Sequence, residues 1–174
     1  LKPDRIVIGS YDEKSNGALK KLYDGFTCPI VETTLSAAEM IKYASNALLA
    51  TKISFANEIG NLCKKIGINV YHVMKGVGMD HRISPFFLEA GIGFGGSCFP
   101  KDIQALMAWA KKYSVQTPLL ESILKLNDTQ PLRLLDLLGK HLPSLEGKKI
   151  GLLGLSFKAD TDDIRESRAL PIVE

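Results

Sequence analysis

From Ser36 to Ile66 the chain runs without a proline and with apolar residues at almost every turn. A stretch of this kind folds as one α-helix of about 45 Å, at ~1.5 Å per residue. A helix of that length serves as a spine for whatever packs on it. Ser36-Ala37-Ala38-Glu39 has the form of a capping box, Leu35 and Met40 form its hydrophobic staple, and Gly67 supplies the stop. Apolar side chains nearly encircle the stretch, which predicts burial on several sides. Lys42 and Asn46 share one face, a turn apart, with the apolar Leu49 and Ile53 beyond them. A lysine ordinarily lays its stem on the helix and reaches water. A Lys and an Asn on an otherwise apolar face need polar partners.

The second constraint is the run Gly93-Phe94-Gly95-Gly96-Ser97-Cys98-Phe99-Pro100-Lys101-Asp102. Pro100 suits the first position of a helix, where its missing N–H has no partner to lose. Cys98 then stands at a helix N-terminus, where unpaired N–H groups and the helix dipole favour a thiolate. Asp102 follows at i+4, at the same end of that helix. This is a geometry for a nucleophile with a polar assistant. Cys28 and Cys63 read as reduced, buried cytosolic thiols, because three widely spaced cysteines make no disulfide framework. No CxxC or paired histidines suggest a metal.

The flanks differ from the middle. Arg5-Ile6-Val7-Ile8-Gly9, a helix from Asn16 to Tyr23, and Pro29-Ile30-Val31-Glu32-Thr33 read as strand, helix and strand, the closing unit of an α/β domain. Helices are expected over Val70–Val77, Pro100–Tyr113, Pro118–Leu126 and Pro131–His141. Lys149-Ile150-Gly151-Leu152-Leu153-Gly154-Leu155 reads as a buried strand, and Asp163-Ile164-Arg165-Glu166 as the cap of a following helix. Both ends, at Leu1 and in the apolar Leu170–Glu174, read as cuts through a longer protein. The fold class expected is therefore mainly α. A central helical domain built on the long helix (36–130) lies between pieces of two α/β domains (1–35 and 131–174).

A formal net charge of +3 is too small to imply nucleic-acid binding, though it leaves room for a basic pocket holding an anionic substrate. No apolar run is long enough to span a bilayer. Arg82, His72 and His81 read as surface residues, and Phe86 and Phe87 as core. Lys158 and Arg165 follow the expected last strand, where ligands of α/β sheets bind, and are candidates for phosphate contacts.

Four stretches carry a resemblance to a known family: PDRIVIG from Pro3, AEMIKYASNALLATKISFANE from Ala38, GMDHRISPFFLEAGIGFGGSCFPKDI from Gly78, and GLLGLSFKADTDDIRES from Gly151. Together they resemble the nucleotide-sugar dehydrogenases of the UDP-glucose/GDP-mannose dehydrogenase family, most closely those acting on UDP-glucose. The resemblance implies a cytoplasmic oxidoreductase. It also implies Rossmann-like flanks, a homodimer formed through the central helical domain, NAD as cofactor and a UDP-sugar as substrate. Two hydride transfers would take the sugar C6 alcohol to an acid, through a thiohemiacetal and a thioester on Cys98. Lys42 and Asn46 would stabilise oxyanions, and Asp102 would assist proton transfer. Arg82, Phe87, Gly95 and Lys158 would meet the substrate, with Arg82 reaching that of the neighbouring subunit. Lys101 and Arg165 would approach NAD. The family's GxGxxG fingerprint and part of its active site are expected upstream of this chain. Glu89 departs from the basic residue that some relatives carry.

Three other readings remain open at this point. One is a dehydrogenase for another nucleotide sugar, such as UDP-N-acetylmannosamine or GDP-mannose. Another is a folded dimerisation module without activity of its own. The third is a thiol hydrolase or acyltransferase using Cys98, which lacks a nearby histidine partner.

Overall fold

The computed structural model describes residues 2–142 and 144–173; Leu1, Pro143 and Glu174 lie outside them. The chain is mainly helical, with one small parallel sheet, and divides into two units, residues 1–45 and 46–174.

In the first unit β1 (Ile6–Gly9) pairs in parallel with β2 (Ile30–Thr33), Ile6 opposite Ile30. The crossover is α1 (Glu13–Leu22), which starts earlier than the apolar pattern suggested. Asp12 is its N-cap and accepts from the Ser15 N–H at 2.7 Å, while Lys20 and Lys21 lie in the last turn, where the helix dipole favours cations. Lys20 also binds Glu32 of β2 at 2.8 Å, tying the crossover to the sheet.

The spine is α2 (Leu35–Ile66), 32 residues without interruption. Its N-cap is Thr34, not Ser36. The Thr34 hydroxyl accepts from the Ala37 N–H at 3.3 Å, and its carbonyl accepts from Ala38 at 2.9 Å. Leu35 already lies inside the first turn, so the expected staple with Met40 has no place. The expectation of burial on several sides holds in part: α2 packs against two core clusters, and one side stays exposed. Apart from Asn57, the buried residues of α2 are small: Ala47, Ala50, Ser54, Ala56, Gly60 and Cys63. Leu48, Phe55 and Leu62 are exposed, whereas Ile53 and Ile59 are partly buried against the core. Small side chains let neighbouring segments approach the helix axis closely, and composition alone does not show which face they occupy.

In the second unit α3 (Val70–Gly78), α4 (Phe99–Lys112), α5 (Pro118–Thr129) and α6 (Leu132–His141) follow α2. One core cluster joins Ala47 and Ala50 of α2 to Phe94, Ile103 and Ile123; a second joins Ala56 and Cys63 to Val70, Met74 and Leu88. Residues 149–155 form no strand among the described residues, and Leu153 is 95% exposed. A strand needs a ladder partner for its N–H and C=O groups, and no described segment provides one. The cap expected at Asp163 is instead a local turn, in which its carboxylate accepts from the Arg165 N–H at 2.9 Å. The next helix, α7 (Leu170–Val173), starts later.

Candidate active site

Cys98 stands in the N-cap position of α4 and is solvent-exposed, unlike buried Cys63 and half-buried Cys28. Its carbonyl accepts from the Asp102 N–H at 2.9 Å, which starts the helix. Its sulfur lies 3.7 Å from the Ser97 hydroxyl. One turn below, Asp102 is 1% exposed. Its Oδ2 accepts from the Asn46 amide at 2.5 Å, and its Oδ1 receives the Lys101 ammonium at 2.6 Å. The spine helix thus lends Asn46 to the helix that carries the cysteine. Lys42 lies on the part of α2 that belongs to the N-terminal unit, exposed, with its ammonium 4.9 Å from the Tyr43 ring centroid.

The glycine loop before Cys98 lies under residues 157–169. The Gly96 N–H donates to the Arg165 carbonyl at 2.8 Å. A Cβ at Gly95 would overlap the Glu166 carbonyl, and one at Gly96 would stand 2.7 Å from the Phe157 ring. Only glycines allow this segment to dock so closely. Gly91-Ile92-Gly93-Phe94-Gly95-Gly96 also has the spacing GxGxxG, which the sequence reading did not single out. It follows no strand, and α4 begins only at Phe99. Close packing by residues 157–169 accounts for Gly95 and Gly96, so the run is no dinucleotide fingerprint.

Beside the loop opens a cleft of about 310 Å³, lined by Gly96, Ser97, Pro100, Lys101, Arg165 and Glu166 among others. It gathers Lys101 and Arg165, the two residues expected to approach a cofactor. Arg165 holds Asp163 through paired hydrogen bonds of 2.9 and 2.6 Å. The hydrogen bonds from Arg165, then the charges of Arg165 and Lys158, lower the Asp163 carboxyl from 3.8 to about 2. Its hydrogen bonds to Asp163, and the charge of that carboxylate, make Arg165 more basic than usual. Lys158 belongs to the same neighbourhood, its ammonium 5.5 Å from the Phe157 ring centroid.

Phe86 and Phe87 are not core: they are 72% and 44% exposed. Phe87 takes a positive φ of 63°, costly for a bulky side chain. Its ring lies edge-on to Phe99, 6.3 Å between centroids, next to the cysteine. Arg82 is exposed and engaged by Asp80 at 3.0 and 2.6 Å. Sequence reasoning passed over the buried amides Asn57, Asn127 and Gln130, which bind the glycine loop, and read Asp163 as a helix cap, not as the partner of Arg165. The available signal was the one that exposed Asn46: an amide at helical spacing from an apolar residue, here Asn127 four places after Ile123.

Among the described residues no helix is long and apolar enough to cross a membrane. The family model for the UDP-glucose/GDP-mannose dehydrogenase family, central domain, matches residues 36–129. The chain is 51% identical over 171 residues to UDP-glucose 6-dehydrogenase YwqF of Bacillus subtilis, covering 98% of this chain and 39% of that protein. It shares 43% identity and a TM-score of 0.94 with a UDP-glucose dehydrogenase structure from Pyrobaculum islandicum, covering 98% of this chain and 40% of that one. With a UDP-D-ManNAc dehydrogenase from Pyrococcus horikoshii the identity is 31% and the TM-score 0.82, over 98% and 41% of the two chains. The chain thus spans about two fifths of the length of these relatives. With its matching residues carrying both the cysteine loop and the spine helix, the chain belongs to the UDP-glucose/GDP-mannose dehydrogenase family.

Proposed function

We propose that this chain supplies the cysteine-bearing part of a dehydrogenase that oxidises UDP-glucose to UDP-glucuronate in two steps, with Cys98 as the nucleophile. The observation that carries the reading is the buried Asp102 carboxylate, bound by Asn46 and Lys101 directly beneath an exposed cysteine at a helix N-terminus. The first step leaves the sugar C6 as an aldehyde. The Cys98 thiolate adds to the aldehyde carbon, forming a C–S bond and placing negative charge on oxygen. Asn46, with Lys42, stabilises that oxyanion as it forms. After the second oxidation C6 is a thioester. Water adds to it, the C–S bond breaks, and acid and thiol are released, with Asp102 passing the proton.

Bound NAD would supply the acceptor for one hydride in each of the two oxidations. The cationic cleft fits part of an anionic dinucleotide, with Lys101 and Arg165 to hold it. Substrate contacts fall to Phe87, Gly95 and Lys158, and to Arg82 across a subunit boundary. Exposed Leu48, Phe55 and Leu62 recur at seven-residue spacing along α2 and support self-association of the central domain (36–130) as a homodimer. The flanks 1–35 and 131–174 join Rossmann-like domains in this reading. Free thiols on the surface and in the core support a reducing, cytoplasmic setting.

The test is NADH formation by the full-length protein with UDP-glucose, UDP-N-acetylmannosamine and GDP-mannose in parallel. Two NADH per UDP-glucose and little from the others is expected. Turnover confined to another sugar nucleotide overturns the substrate assignment.

A further inference from the structure

The glycine loop is gripped from its inner side by side-chain amides that the proposed chemistry does not use. Asn127 of α5 binds both backbone groups of Phe94: its Oδ1 accepts from the Phe94 N–H at 2.7 Å, and its Nδ2 donates to the Phe94 carbonyl at 2.9 Å. At Gly91, the N–H donates to Asn57 Oδ1 of α2 at 2.6 Å, and the carbonyl accepts from Gln130 Nε2 at 2.9 Å. Gln130 is itself fixed by the Asn61 amide, which donates to its Oε1 at 2.8 Å. Asn57, Asn127 and Gln130 are 1%, 2% and 3% exposed.

Asn127 plays the part that a neighbouring strand plays in a sheet, offering a donor and an acceptor to a segment that has no ladder; at Gly91 the acceptor comes from Asn57 and the donor from Gln130. Burying such groups is costly unless every bond is made, and well-packed apolar residues would serve stability as well. Their return is a defined backbone path. That path leads to the cysteine. Phe94 lies four residues before Cys98, and its ring contacts that of Phe99, the residue after Cys98, edge-on at 5.9 Å between centroids. The outer side of the loop is closed by the Arg165 carbonyl on the Gly96 N–H.

We infer that Asn127, seconded by Gln130, is a positioning residue that sets the attitude of Cys98 at the head of α4 by clamping the backbone at Phe94 and Gly91. The role rests on the reading of Cys98 as nucleophile, but the clamp is measurable without any sugar nucleotide. A reactive group displaced by about 1 Å loses rate by up to ~100-fold.

The experiment uses the full-length protein with Asn127→Leu and Gln130→Met, which keep side-chain bulk and remove the hydrogen bonds. Thr129→Ala, on the exposed side of α5, is the control. Iodoacetamide alkylation of Cys98, read from the mass of its peptide, is followed across pH. Each clamp variant that retains its helical signal is expected to change the rate by at least ~5-fold and to move the pH midpoint, with kcat falling more than KM rises. Thr129→Ala stays at the wild-type rate. Folded clamp variants with wild-type alkylation profiles overturn the inference. The wild-type protein supplies a second arm: the Gly91 and Phe94 amides should exchange with solvent as slowly as those of α5. Exchange at the rate of an open loop overturns the clamp even if neither variant folds. Wild-type protein that lacks turnover on UDP-glucose but shows slow exchange and altered alkylation in the variants retains the clamp and loses only the substrate.

Discussion

A carboxylate cut off from solvent must have its charge balanced by the protein, and Asp102 obtains that balance from Asn46 and Lys101. Replacing it by Ala leaves the Asn46 amide without this acceptor. Loss of a buried partner costs ~1–3 kcal/mol, so Asp102→Ala should lower the melting temperature by several degrees as well as slowing turnover. A variant that melts like wild type would show that Asn46 finds another acceptor. Cys98→Ser replaces the thiol by a hydroxyl. Acid production should fall by at least ~100-fold, since an alkoxide is far harder to generate near neutral pH; normal acid yield in a product assay would exclude the covalent route. The residues of this site were readable from spacing: a thiol before a helix-opening proline, an Asp at i+4, and an amide on an apolar helix face. Their partners were not. Asn127 meets Phe94 across 33 positions, and no local pattern encodes which carbonyl a distant amide will find.

At the scale of elements, the helices were legible to within a few residues because apolar periodicity, prolines and glycines mark them. The cap of α2 was displaced by two residues because Thr34 and Ser36 both offer hydroxyls, and only backbone geometry selects between them. Thr34→Ala should destabilise the N-terminal unit by ~1 kcal/mol, whereas Ser36→Ala should be close to neutral in thermal melts. The strand expected at 149–155 failed for another reason: β structure requires a neighbour, which an apolar run does not itself contain. Docking of residues 157–169 on the glycine loop leaves no room for a methyl group at Gly95. Gly95→Ala should cost ~1–3 kcal/mol and speed protease cleavage within residues 157–169; unchanged cleavage would mean that the two segments separate readily. The Asp163–Arg165 pair adds a pH dependence. The folded-state pKa of Asp163 is depressed from 3.8 to about 2, so its stabilising contribution is present above the unfolded value. It disappears as pH falls through the folded one. The difference in melting temperature between wild type and Asp163→Asn should therefore shrink as pH drops from about 4 to about 2. A constant difference across that range would exclude the pairing as its source.

For the whole molecule, the proposed dimer rests on the side of α2 that carries the exposed Leu48, Phe55 and Leu62. Phe55→Asp should change the stability of one chain by no more than ~0.5 kcal/mol, because Phe55 is 49% exposed. In the proposed dimer it should drive the sedimentation coefficient at micromolar concentration to that of a monomer. A variant that stays dimeric would move the interface elsewhere. The covering of the glycine loop by residues 157–169 also has a consequence in time. A ribosome that has polymerised Gly96 must add about 70 more residues before the Arg165 carbonyl exists to receive its N–H. At ~5–20 residues per second that is roughly 3 to 14 s. Through that interval the loop has only the inner grip of Asn57 and, once they are made, of Asn127 and Gln130, so the surroundings of Cys98 are completed only after synthesis has moved well beyond it.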